Sequence, residues 1–176
     1  MRSFLYICLF LLTLAPVKAT QMIPLSIEQL SDKAEVIVRG VVTSKLTKRI
    51  GEKGIYTQVE LKVEDSWKGA TGKPHITIAQ AGGVLGETIQ NIPGQAVFKV
   101  GEEVVIFGVW NQRQEAVVLG LSQGKFNVAP TTDGKAKHCY SIFHGRPEST
   151  TSAKRAHWKP PLLISNLKTK VTSKDR

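Results

Sequence analysis

Three of the four histidines, His138, His144 and His157, fall near Cys139, and imidazole with thiolate is a donor set that holds zinc. The spacing works against it. His138 and Cys139 are neighbours on an extended stretch, so their side chains point to opposite faces, and His157 lies beyond a change of composition. Cys139 has no base and orienting group legible beside it, as a thiol nucleophile requires, and reads as a buried unpaired thiol. Glu102-Glu103 reads as a solvated turn ahead of an apolar strand, because adjacent side chains on an extended chain diverge. Neither Ser122-Gln123-Gly124 nor Ser66-Trp67 forms a nucleophile elbow. Gly82, Gly83, Gly86 and Gly94 have the spacing of neither a P-loop nor a dinucleotide fingerprint, and no Lys-Ser/Thr follows them. No residue is therefore assigned a catalytic, metal-binding or cofactor-binding role.

Tyr56, Trp67, Phe98, Trp110 and Phe126 offer ring area on which bases or sugars stack. Aromatic residues on strands are core formers first, and no specific nucleic-acid motif accompanies them. Charge is the stronger signal. The chain carries 24 basic and 14 acidic side chains, and residues 145–176 hold Arg146, Lys154, Arg155, Lys159, Lys168, Lys170, Lys174 and Arg176 against Glu148 and Asp175. Lys154, Arg155, Lys159, Lys168, Lys170, Lys174 and Arg176 are accordingly the candidate binding residues, suited to an anionic partner. This stretch, rich in Ser, Thr and Lys with Pro147, Pro160 and Pro161, is expected to be a flexible tail. Within it, Leu163, Ile164, Leu167 and Val171 follow helical spacing, which suits a membrane surface or a partner's groove.

The N-terminus reads as a secretory signal: Met1 and Arg2, an apolar run over residues 4–15, then Val17-Lys18-Ala19 with small residues at the cleavage-determining positions. The run is shorter than the ~20 residues a spanning helix needs. Cleavage after Ala19 would remove Cys8 and leave an exported chain, periplasmic or extracellular, of net charge +8 with Cys139 as its one cysteine. Such a chain stands on hydrophobic burial, without disulfides. No later apolar run reaches membrane-spanning length, so no transmembrane segment is expected in the mature chain. Residues 20–144 suffice for one domain.

Ser26 and Gln29 have capping-box spacing, which predicts a short helix over residues 27–33 covering one end of a barrel. From residue 35 the period becomes two. Val36, Val38 and Val42 alternate with Ile37, Arg39 and Val41, with Gly40 where a sheet can bend. Residues 55–64 alternate cleanly, 75–80 form a third strand, and 81–95 are either a surface loop or a pair of irregular edge strands. Residues 104–110 are apolar enough for burial on both sides. Strands follow over 116–121, 125–128 and 136–143, with Asp133-Gly134 as a hairpin turn. Seven or so short strands at this spacing argue for a barrel or sandwich.

Ala34-Glu35-Val36-Ile37-Val38-Arg39-Gly40-Val41-Val42, followed by a long strand ending Trp67-Lys68-Gly69, resembles the opening of netrin-like domains, including tissue inhibitors of metalloproteinases. The chain also resembles a group of bacterial exported proteins through Ala-x-x-Ile-Val-Arg-Gly at residues 34–40, Gly82-Gly83, Phe-x-x-Gly-Glu-Glu-Val at 98–104 and Gly-Leu-x-Gln-Gly-Lys-Phe at 120–126. The second resemblance spans about residues 34–128. Both imply a mostly β, OB-like (netrin-like) antiparallel barrel, here with a short N-terminal helix and a flexible basic C-terminal tail. The inhibitors place a disulfide-locked first cysteine on the target's zinc. No cysteine stands near Thr20, so that wedge maps to no residue here. The expected function is a secreted, noncatalytic binding module whose cationic tail attracts acidic lipid, cell-wall polymer or nucleic acid. The alternatives are a metalloprotease-inhibitor-like partner of a secreted metalloprotease and, further off, a metal-dependent hydrolase.

Overall fold

Residues 22–52, 54–144 and 162–173 are described by a computed structural model of the chain. Helix α1 (Ile27–Lys33) begins where the sequence places it, because Ser26 Oγ accepts from Gln29 N at 3.2 Å while Gln29 Oε1 accepts from Ser26 N at 2.9 Å. The reciprocal pair satisfies two backbone donors that a first helical turn leaves open. Ala34 then turns extended and leads into β1.

Among the described residues ten strands follow: β1 (Val36–Ile50), β2 (Gly54–Lys68), β3 (His75–Ala81), β4 (Gly83–Leu85), β5 (Thr88–Gln90), β6 (Glu103–Trp110), β7 (Ala116–Val118), β8 (Lys125–Pro130), β9 (Lys137–Tyr140) and β10 (Leu162–Leu163), and then helix α2 (Ile164–Thr172). Five of them form a ring in the order β1-β2-β3-β7-β6 and back to β1, antiparallel except for the β3–β7 contact. The length of β1 makes closure feasible, since it pairs with β2 along its course and with β6 from Val36 to Val41. Its register against β2 shifts after Ile37, Arg39 and Val42, and such bulges bend and twist a sheet. Gly40 sits at the second shift, where a Cβ would lie 2.3 Å from Lys62 O.

Two apolar cores result. Val36, Val38, Val42, Val59, Leu61, Ile78, Phe98, Val104 and Ile106 fill the ring. Beyond β6 the sheet continues as β8-β9-β10, and one face of this extension joins the outer face of β1 and β6. There Ile37, Trp67, Val105, Phe107, Phe126 and Cys139 are covered by Leu30 of α1 and by Leu167 and Val171 of α2. Strands β1 and β6 feed both cores, which is why their sequences are nearly continuously apolar.

The structure corrects three expectations. α1 lies on the outer face of the ring rather than over its end, because Leu30 shares a core with Ile37, Val105 and Phe107. Of the two alternatives for residues 81–95 the pair of strands holds, as the hairpin β4–β5. Glu102 and Glu103 are not a solvated turn: Glu102 pairs with Lys125 at 2.6 Å and Glu103 with Arg39 and Lys137 at 2.7 Å each. Residues 162–173 are not a flexible tail, since β10 pairs with β9 and α2 buries Leu167 and Val171 completely or nearly so. Composition judged that segment as if it stood alone, and a nine-residue helix with no side-chain N-cap is indeed marginal in isolation. The domain supplies the apolar surface that the segment lacks. No described helix is long and apolar enough to cross a membrane.

Candidate functional site

Residues 95–102 carry no strand, yet side chains from three strands strap them across one end of the ring. Gln80 Nε2 donates to Ala96 O at 2.6 Å, Lys125 Nζ to Val97 O at 2.5 Å and Lys45 Nζ to Phe98 O at 2.9 Å. Three consecutive carbonyls are thereby satisfied without a ladder. Ala96 and Phe98 turn into the ring core, while Val97 and Val100 face solvent.

Lys125 is buried, with its ammonium 4.7 Å from the centre of the Phe98 ring. Burial pushes its pKa down. Its hydrogen bond and attraction to Glu102 work against that fall, and the nearby charges of Lys99 and Lys45 add to it. Glu102 Oε1 also accepts from Lys99 N at 2.9 Å, so one carboxylate ties the strap's turn to β8.

Alternation along the β8–β9 hairpin then defines a groove. Phe126 and Cys139 face the outer core, whereas Lys125, Asn127 and Tyr140 face the strap. Asn127 and Tyr140 are cross-strand partners. Together with Lys99, Glu102 and Ser141 they line an open groove of about 580 Å³, with Val97 and Ile142 at its rim. The hydroxyls of Ser122 and Ser141, also in its wall, are buried without a hydrogen-bond partner. Leaving such a group unpaired costs about 1–3 kcal/mol, so a partner that reaches either hydroxyl is favoured.

A neighbouring pocket of about 170 Å³ is polar as well, but its polar side chains other than Asn91 are hydrogen-bonded to backbone. Thr57 Oγ1 donates to Gly82 O at 2.8 Å, and Gln90 Oε1 accepts from Ile55 N at 3.3 Å. The Gln95 amide, oriented to satisfy both its ends, bridges Ala81 O and Ala81 N at 2.8 and 3.0 Å. These groups hold the β4–β5 hairpin and the strap against the ring.

Of the candidate binding residues, Lys168 meets Asp65 at 2.8 Å and Lys170 meets Glu28 at 3.5 Å, both lysines lying on α2. Lys154, Arg155, Lys159, Lys174 and Arg176 lie outside the described residues. The aromatic residues are dispersed: Phe98 fills the ring, Trp67 and Phe126 fill the outer core, Tyr56 lies under Arg113 at 4.8 Å, and Trp110 under Lys73 at 4.5 Å. His144 stacks on Phe126 at 5.7 Å with Nε2 2.9 Å from Leu25 O, while His138 lies beside Tyr140. Among the described residues, no three of His, Cys, Asp or Glu are grouped to hold a metal ion. The Cys139 thiol is pushed up to about 12 by burial, which keeps it protonated and inert at neutral pH.

Sequence reasoning missed the groove. Its residues come from segments far apart in the chain, and the one local sign was Lys125, a charged residue opening an apolar strand. No protein-family model and no curated protein matches this chain.

Proposed function

We propose that this protein is an exported, noncatalytic binding module on an OB-like, netrin-like barrel, attracted to an anionic partner by the basic residues that precede α2. The ring order β1-β2-β3-β7-β6, with one parallel contact, supports the barrel reading. The signal-like N-terminus supports export.

The observation that carries the proposal is the partition of charge. Residues 20–144 hold 14 basic and 12 acidic side chains, close to balance, whereas the short run 145–161 holds Arg146, Lys154, Arg155 and Lys159 against Glu148 alone. Docking of α2 through Leu167, Val171 and the Lys168–Asp65 pair leaves the cationic run of residues 145–161 joined to the folded domain at both ends. Attraction between such a run and a polyanion is sequence-independent and weakens with salt.

Replacing Lys154, Arg155 and Lys159 together by Ser leaves α2 and its ion pairs untouched. The expected result is loss of salt-sensitive retention on vesicles containing phosphatidylglycerol and on immobilised heparin. Retention equal to that of the unaltered chain refutes the role.

A further inference from the structure

We infer that the groove between the strap and the β8–β9 hairpin is a binding site for an acidic saccharide, a polyhydroxy chain bearing carboxylates. The inference rests on the noncatalytic-binding reading but not on the basic run.

Polar groups in the groove's wall and just behind it have no internal partners. Lys99 makes no ion pair, neither the Asn127 amide nor the Tyr140 hydroxyl bonds to another described residue, and the Ser122 and Ser141 hydroxyls are buried and unpaired. In the adjacent pocket Thr57, Gln90 and Gln95 are all committed to backbone. The groove therefore keeps a set of hydrogen-bonding groups that folding has not used. A serine hydroxyl moves between staggered rotamers, so both can turn toward a ligand acceptor.

Charge and shape narrow the ligand. Lys125 and Glu102 neutralise each other at 2.6 Å, leaving Lys99 as one net positive charge. One cation matches one carboxylate of a chain that carries its acids one to a sugar ring, whereas a polyphosphate, with adjacent charges, draws several cations. Amide and hydroxyl groups of Asn127, Ser122, Ser141 and Tyr140 suit a ligand rich in hydroxyls, each able to donate and accept. The Tyr140 ring, with Val97 and Ile142 at the rim, offers apolar surface to the C–H faces of a sugar. About 580 Å³ lies within the range of small-ligand sites, and an open groove lets a chain extend past it. A floor of lysine, glutamate, asparagine and serine is wrong for a lipid tail.

The test is a calorimetric titration of the full chain with trigalacturonate, its methyl ester and triglutamate at fixed ionic strength, with amide shifts followed by NMR. The trimer should bind saturably, at least tenfold tighter than the ester, and move the amides of Asn127, Tyr140 and Ser141. Asn127→Ala and Tyr140→Ala should each weaken it fivefold or more, and Lys99→Met, at an exposed position, should erase the preference for acid over ester. No saturable binding, equal binding of ester and acid, or tighter binding of triglutamate overturns the inference. Shifts confined to residues 145–161 also overturn it, while leaving the role of the basic run standing. Retention of trimer binding alongside failure of the vesicle and heparin test has the opposite meaning.

Discussion

The ring interior and the layer beneath the two helices hold similar side chains, but they are closed by different means. The ring is built from one unbroken stretch, β1 to β7, and each of its strands is held by two neighbours. The outer layer is finished by two short helices from opposite ends of the described chain, α1 and α2, which meet over Ile37, Phe107 and Phe126. A core closed by ladders loses its packing only when strands separate, whereas one closed by a short docked helix opens when that helix leaves. The comparison predicts two levels of stability in one molecule.

The largest effect should come from the ring. Phe98→Ala removes the aromatic plug and the ring beneath the Lys125 ammonium, and should cost about 3–5 kcal/mol in urea unfolding with strand signal lost as one transition. A loss under about 1 kcal/mol would show that the strap is not part of the core. Gly69→Ala should come next. Gly69 has φ +67°, and a Cβ there would lie 1.9 Å from Glu35 O. A left-handed alanine costs about 1–2 kcal/mol before any clash, so destabilisation beyond ~2 kcal/mol is expected in the same assay.

Leu167→Ala tests the outer layer directly. Its effect should be local: hydrogen exchange accelerates over residues 162–173 and Cys139 becomes open to alkylation, while β1, β2 and β6 keep their protection. Equal loss of protection in the ring would make the two cores one cooperative unit and break the comparison. A smaller, pH-dependent effect follows from Cys139 itself. Its folded pKa, about 12, stands above the ordinary 9.0, so the unfolded chain holds fewer protons in that interval. Stability should be intact below about pH 9 and fall as pH rises toward 12, and Cys139→Ala should flatten that part of the curve.

The smallest effects belong to the ion pairs on α2. Lys168→Ala should cost at most ~1 kcal/mol and Lys170→Ala close to nothing, since Lys170 and Glu28 are both more than half exposed. Burial tends to raise the Asp65 pKa, but the hydrogen bond from Lys168 and the charges of Lys168 and Arg39 bring it below the usual carboxylate value. The contribution of the Lys168 pair is therefore present above the ordinary carboxylate pKa and lost as pH falls through the lowered one. Helical signal from α2 should weaken in acid before the sheet does, a difference that Lys168→Ala should remove.

How much of this was legible varied with distance along the chain. α1 could be read to the residue because its cap is a local bargain between Ser26 and Gln29. Val36 and Val38 against Ile37, and Val104 and Ile106 against Val105 and Phe107, show double burial directly in their apolar runs. Gly40 was legible as a bend. Glu102 and Glu103 were not legible as ion pairs, because Lys125, Arg39 and Lys137 approach them across 23 to 64 positions of sequence. Among the candidate cations, Lys168 turned out to pair with Asp65 and hold a helix, while Lys170 stays more than half exposed beside Glu28.

The sequence by itself determined the strand periods, the helix cap and the concentration of positive charge after residue 144, because each depends on neighbours a few positions apart. Tertiary structure alone decided that β1 closes on β6, that α2 docks rather than drifts, and that Lys99, Asn127, Tyr140 and Ser141 share a groove. Those outcomes depend on apolar area and hydrogen-bonding groups supplied by distant segments, and their sum appears only once the ring is closed.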